Sequence, residues 1–214
     1  MHWFYYLGRF LTRVILFIIA RWRVRGRENI PQHGPLLIVA NHLNLADPPI
    51  VGVSINRKAV FMAKEELFRN WLIRFFVKGY GAFPVRRGRL SRDALRQAEQ
   101  WLARDVALVM FPEGKRSSGH QLQPAFPGSA LIASRLGAPV LPVGIAGTEK
   151  VKGLTWWLRR PEITVNIGKP FYLPPATKGK LTKKELSGLT NSIMRHIAEL
   201  LPPEYRGEYG DKNT

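Results

Sequence analysis

The sequence predicts an α/β fold: one domain with a mixed, largely parallel central sheet, flanked by helices, plus an N-terminal membrane-associated helix. Three observations carry that expectation. Continuous apolar runs at residues 35–40, 106–111 and 140–145 read as strands buried on both faces. Segments with helical spacing of apolar residues, such as 91–104, alternate with them. A chain of 214 residues, 45% of them hydrophobic, is long enough to bury one substantial core.

Residues 3–20, WFYYLGRFLTRVILFIIA, are apolar but interrupted by Arg9 and Arg13, which share one helix face. Each charge at a bilayer centre costs ~3 kcal/mol, so an interfacial helix is favoured over a spanning one; an ordinary core helix is the third reading. In the interfacial reading the arginines reach the headgroups and the aromatics sit at the boundary. The basic run Arg21, Arg23, Arg25 and Arg27 adds attraction to anionic lipid. The arginines and the lack of a small-residue cleavage site argue against a secretory signal.

Residues 22–26 alternate as a strand and 29–34 form a turn. After the strand at 35–40, Pro48 opens a helix to Ser54. A strand follows at 58–63, an aromatic-rich helix near 70–77, and a short strand at 79–85. The aromatic helix reads equally well as core packing or as part of a membrane face. Ser91 is the N-cap of the helix at 91–104. After the strand at 106–111 come a helix at 128–136, with Gly137 just past its end, and strands at 140–145 and 162–167. Thr182-Lys-Lys-Glu185 has the form of a capping box for a helix to Leu201. Expected boundaries are therefore 1–21 for the anchoring helix, 22–203 for the main domain, and 204–214 for a polar, disordered tail.

With 33 Lys+Arg against 15 Asp+Glu, the net charge of +18 favours anionic partners. No nucleic-acid-binding motif is present and the cations are spread along the chain, so a basic binding module for nucleic acid or membrane is the weaker reading. Cysteine is absent, which excludes disulfides and a thiolate nucleophile. The five histidines show no metal-binding spacing, so no metal is expected.

Two segments carry candidate chemistry. His42 follows the 35–40 strand, and Asp47 follows it at the start of a helix. Histidine titrates near neutrality and suits a general base, and a carboxylate can hold its ring in the working tautomer. The plain alternative is that Asp47 is simply a helix N-cap before Pro48. The second segment, Phe111-Pro-Glu-Gly-Lys-Arg-Ser117, also lies just past an apolar strand, where open α/β sheets bind ligands. Gly114 permits a turn or close approach, Arg116 offers a planar fork for phosphate, and Lys115 a point charge. Ser117 adds a hydroxyl, and Glu113 could accept a bond from a substrate hydroxyl or position an arginine. Alone, this segment reads as a solvated loop.

Together the two segments resemble the 1-acylglycerol-3-phosphate acyltransferase family of glycerolipid acyltransferases. That family has N-H-x-x-x-x-D, here Asn41, His42 and Asp47, and F-P-E-G-T-R-S, here residues 111–117 with Lys115 in place of threonine. Phe83-Pro-Val-Arg86 and Leu141-Pro-Val-Gly-Ile145 match two further segments in order, and the similarity runs over about residues 22–170. A second departure is Pro127, where a basic residue often stands before the glycine.

The resemblance implies acyl transfer from acyl-CoA or acyl carrier protein to the free hydroxyl of a lysophospholipid, foremost 1-acylglycerol-3-phosphate, giving phosphatidic acid. Another lysolipid or an aminoacyl lipid is the alternative acceptor. It implies His42 as base, Asp47 as its orienter, and Lys64 as a stabiliser of the thioester oxyanion. Arg86 and Arg116 would bind phosphate, with Glu113, Gly114, Lys115 and Ser117 shaping the acceptor site. The thioester is a co-substrate and no further cofactor is implied. The expected partners are the lipid bilayer, the lysophospholipid and the acyl donor, not nucleic acid, and the expected location is the cytoplasmic face of the cell membrane.

Overall fold

A computed structural model of the chain describes residues 3–85, 91–153, 155–175 and 181–210. Helix α1 spans Trp3–Ile19 and leads into strand β1, Arg21–Arg25. Then follow β2 (Leu37–Ala40), α2 (Asp47–Ser54), β3 (Ala59–Lys64), α3 (Trp71–Gly79) and β4 (Ala82–Val85). The second half holds α4 (Arg92–Leu102), β5 (Ala107–Met110), α5 (Gly128–Leu136), β6 (Val140–Ala146), β7 (Glu162–Ile167) and α6 (Lys183–Glu199). The caps follow the sequence reading. Ser91 accepts from the Ala94 amide, Gly137 takes a left-handed conformation, and Thr182 and Glu185 form a capping box.

The described strands form one seven-stranded sheet in the order β1-β7-β6-β2-β5-β3-β4. All neighbours are parallel except β6 and β7. This bears out the α/β domain with a mixed, largely parallel sheet. Strand β2 is central and buried throughout, and its side chains alternate between two cores. Leu37 and Val39 join Ala98, Ile132, Met194 and Ile197 on the face covered by α4, α5 and α6. Ile38 and Ala40 join Leu16, Ile50, Val51 and Val143 on the face covered by α1 and α2.

Three expectations change. First, Arg9 and Arg13 turn inward instead of reaching outward. Arg9 donates to the carbonyls of Ile55 and Arg57 at 2.6 and 3.0 Å, and Arg13 to that of Val53 at 3.2 Å. Carbonyls at the end of α2 lack intrahelical partners and carry its negative dipole end, so guanidinium groups satisfy them. The apolar face is consequently turned out. Trp3, Phe10, Phe17 and Ile18 are all more than half exposed, and so are Trp71, Phe75 and Phe76 on α3. Helix α3 buries none of its residues, so it is not a core helix. It packs on α1 through Phe4, whose ring meets Phe75 edge-on at 5.0 Å and lies over Gly79. Among the described residues, no helix is long and apolar enough to cross a membrane.

Second, Asp47 is not the N-cap of α2. Ala46 holds that position, and Asp47 lies in the first turn with its carboxylate directed elsewhere. Third, residues 204–210 of the polar tail pack against the domain. Tyr205 is buried, its hydroxyl donates to Glu149 at 2.9 Å, and its carbonyl accepts from the Leu122 amide at 2.8 Å. Tyr205 and the partly buried Tyr209 pack their rings against the same core, in a segment that polarity alone marks as tail.

Removing only the hydroxyl of Tyr205 leaves the buried Glu149 carboxylate without its donor. Tyr205→Phe should destabilise the fold by about 1–3 kcal/mol. Thermal unfolding should show a melting temperature several degrees lower, and an unchanged value would mean that the bond is not formed in solution.

Candidate active site

The site is assembled at the carboxyl ends of β2, β5 and β6. Strands β2 and β5 run parallel with Val39 beside Met110. Three residues further on, each chain has left its strand, and the same register brings His42 beside Glu113. The strand ends at Ala40, where the apolar run ends, and Asn41 turns its side chain into the sheet. The Asn41 amide donates to the Ile145 carbonyl at 2.8 Å and accepts from the Ile145 amide at 2.7 Å. It thereby continues the β2–β6 pairing with side-chain atoms and frees the backbone to turn.

Asp47 organises that turn. Its Oδ2 accepts from Leu43 N at 2.6 Å and Asn44 N at 2.7 Å, and lies 2.8 Å from Nδ1 of His42. A carboxylate oxygen only accepts, so Nδ1 carries the proton and Nε2 keeps its lone pair. The Asp47 side chain is fully buried and that of His42 is 14% exposed. Phe111 stacks on the imidazole at 4.4 Å between centroids, fixing the plane of the ring.

The 111–117 loop grips the His42 backbone on both sides. The His42 amide donates to Glu113 Oε1 at 2.9 Å, and the Ser117 amide donates to the His42 carbonyl at 2.8 Å. Glu113 Oε2 accepts from the Gln123 amide at 3.0 Å. Each carboxylate oxygen thus accepts from a backbone amide, and among the described residues no arginine pairs with it. Burial drives the Glu113 carboxyl up to about 7, against the opposing pull of those two amides. Gly114 has φ +63, and a Cβ there would meet the Phe126 ring at 2.8 Å, so the turn requires glycine. The Ser117 hydroxyl donates inward to the Gln121 carbonyl at 2.6 Å and is buried.

Of the sequence-predicted residues, His42, Asp47, Glu113, Gly114 and Ser117 come together. Lys115 and Arg116 project from the same loop into solvent. Lys64 ends β3, which β5 separates from β2, so its backbone stands about 10 Å across the sheet from β2. Its ammonium pairs with Glu66 at 3.0 Å. Arg86 lies outside the described residues. Sequence reading missed the positioning parts played by Asn41 and the Phe111 ring. Their only signal was membership in the two motifs.

The acyltransferase family model matches residues 21–146. That span covers more than half of the chain and includes every strand that builds the site. The chain belongs to the acyltransferase family. This acyltransferase is 31% identical over 194 residues to the 1-acyl-sn-glycerol-3-phosphate acyltransferase of Streptococcus pneumoniae, covering 86% of the chain and 70% of that relative. It is 30% identical over 190 residues to the enzyme of that name from Bacillus subtilis, covering 88% of the chain and 92% of the relative. Among solved structures, it matches the 1-acyl-sn-glycerophosphate acyltransferase of Thermotoga maritima with a TM-score of 0.67 and 28% identity. That match covers 92% of this acyltransferase and 79% of the solved chain.

The raised Glu113 carboxyl makes a pH prediction. It binds its proton in the folded state up to about pH 7, but in the unfolded chain only to about 4.5. Its protonated form therefore favours the fold below pH 4.5, and that contribution is lost as pH rises to about 7. The loss is at most roughly 3 kcal/mol. Glu113→Gln should flatten this part of the stability–pH curve measured by urea unfolding. An identical slope in the variant would place the titration elsewhere.

Proposed function

We propose that this acyltransferase moves a fatty acyl group from a thioester to the free hydroxyl of 1-acylglycerol-3-phosphate, giving phosphatidic acid at a membrane surface. The observation that carries the reading is the His42–Asp47 pair at 2.8 Å, held against a loop that projects Lys115 and Arg116. The names of the relatives agree with it. In the first step, Nε2 of His42 takes the acceptor hydroxyl proton while its oxygen attacks the thioester carbonyl. The tetrahedral intermediate then collapses, the C–S bond breaks, and the thiolate leaves and is protonated from the imidazolium. A hydroxyl attacks a thioester poorly at neutral pH, and a positioned base contributes ~100- to 10,000-fold. Direct attack in a ternary complex suits a chain without cysteine.

Arg116 and Lys115 are assigned to the acceptor phosphate, where a bidentate fork and a point charge together suit a dianion. Arg86 is assigned to the same phosphate on the sequence alone. Glu113, Gly114 and Ser117 shape this subsite through backbone geometry. Lys64 is assigned to the oxyanion of the thioester, which it would reach by exchanging Glu66 for the substrate. Acyl-CoA and acyl carrier protein both remain donors of the right chemistry, and a basic surface suits either. The reading needs no metal, because a thiolate is a good leaving group.

The exposed apolar faces of α1 and α3 support interfacial docking. Residues 1–21 would then act as the anchor of the 22–203 domain, with 204–210 as its packed end. Acyl donors of this class are cytosolic, which favours the cytoplasmic face.

Purified protein given a long-chain acyl-CoA and lysophosphatidic acid should release free thiol. His42→Ala should cut turnover at least ~100-fold with little change in melting temperature; near-normal turnover would remove His42 as the base. Arg116→Ala should mainly raise the acceptor KM. An acceptor KM equal to that of wild type would take Arg116 out of the phosphate subsite.

A further inference from the structure

Between β6 and β7 the chain forms a projecting tip that the site does not use. A short turn at Trp156–Arg159 carries Trp157, 49% exposed, and Leu158, 62% exposed. Lys150, Lys152, Arg159 and Arg160 stand exposed around them. The acidic residues that flank the segment are already engaged, Glu149 by Tyr205 and Glu162 by Arg23. The tip presents an exposed indole and leucine beside four exposed cations, none of them in an ion pair among the described residues.

Its place in the fold gives that combination meaning. Arg160 donates to the Phe17 carbonyl at 3.3 Å, and Arg21 donates through its side chain to the Arg160 carbonyl at 3.4 Å. The tip thus adjoins the end of α1 where Phe17 and Ile18 lie exposed. At its other end, Asn44 of the His42 loop donates to the Val151 carbonyl at 3.1 Å. One segment therefore touches both the apolar helix face and the catalytic loop. A scattered exposed leucine needs no explanation, but here an exposed indole and leucine sit on a turn hydrogen-bonded to the end of α1, whose larger apolar face is also exposed. Tryptophan suits the boundary between lipid and water, and each nearby cation contributes ~1 kcal/mol against an anionic leaflet. The hydrogen bond to the end of α1 and the four exposed cations favour a bilayer over a protein as the occupant.

We propose that the tip at residues 155–160, with Lys150 and Lys152, is a second membrane contact, seating Trp157 and Leu158 in the interface of an anionic phospholipid bilayer. The proposal rests on the interfacial docking of α1. With α1 and α3 it gives the enzyme separate points of support, one of them bonded directly to the His42 loop.

The test uses the full chain and vesicles of phosphatidylcholine, with and without phosphatidylglycerol. Trp157→Ser with Leu158→Ser should lower partition onto anionic vesicles by about tenfold. Lys150→Gln, Lys152→Gln and Arg159→Gln together should reduce the preference for anionic over neutral vesicles at least ~10-fold, and an unchanged preference would overturn the contact. Lipids brominated near the headgroup should quench wild-type fluorescence more than that of Trp157→Phe, a readout independent of affinity. Thiol release with a short-chain, monodisperse acceptor should be unchanged in all of these variants. If wild type does not partition at all, the docking reading fails and this proposal falls with it. If Trp3→Ser with Phe10→Ser releases the protein while the tip variants bind and quench like wild type, only the tip proposal is overturned. A raised KM for an acyl carrier protein donor, with vesicle partition intact, would assign the tip to a protein partner and overturn it equally.

Discussion

The site depends on one carboxylate bonding to backbone. Glu113 receives the amides of His42 and Gln123, one on each oxygen, and so joins the end of β2 to the loop beyond β5. Burying a carboxylate is costly unless its hydrogen bonds are met, and here burial still outweighs them, since the group is pushed up to about 7. The fold bears that cost because parallel register brings the two loops abreast beyond the last sheet bonds. Sheet hydrogen bonds end at Ala40 and Met110; beyond them, the pairing passes to side chains and to one backbone bond, from the Ser117 amide to the His42 carbonyl. Asn41 does it toward β6 and Glu113 toward β5. The imidazole is thus fixed by its backbone before Asp47 and Phe111 orient its ring.

The parallel sheet was readable because strands buried on both faces need unbroken apolar runs, and residues 35–40, 106–111 and 140–145 supply them. Helix ends at Ser91, Gly137 and Thr182 were readable because capping uses few residue types. The motif residues were legible as a group, but not what each one touches. Glu113 bonds to peptide groups, which every residue carries, so no pattern in the chain names its partners. Asp47 was ambiguous for a related reason. A cap and a triad carboxylate both sit before a helix, and only the backbone path shows that its oxygen bends back to Leu43 and Asn44. Tyr205 was lost in a polar segment, because composition averages over the one ring that packs.

The arginines of α1 show where periodicity misleads. An amphipathic pattern identifies two faces but does not say which one meets the protein. Here the polar face turns inward, since Arg9 and Arg13 find unsatisfied carbonyls at the end of α2. Exposed apolar surface costs roughly 25 cal/mol per Å² in water, so the outward face of α1 and α3 gains most where an apolar phase covers it, as the proposed docking would provide. The chain's geometry and its proposed membrane seat are two expressions of the same inversion.

Helix α2 then takes on a mechanical meaning. Its first residue is Asp47, and the carbonyls at and just beyond its last turn receive the guanidinium groups of α1. An eight-residue helix is about 12 Å long, stiff, and buried along most of its length. Whatever sets the depth of α1 in an interface therefore sets the height of Asp47, and through Oδ2 the height of His42. An enzyme whose acceptor is a lipid must hold its base at a constant distance from the plane in which that lipid's hydroxyl lies. If α1 docks as proposed, a rigid strut between it and the carboxylate that orients His42 supplies that constancy, where a flexible linker would let the base drift with every tilt of the anchor.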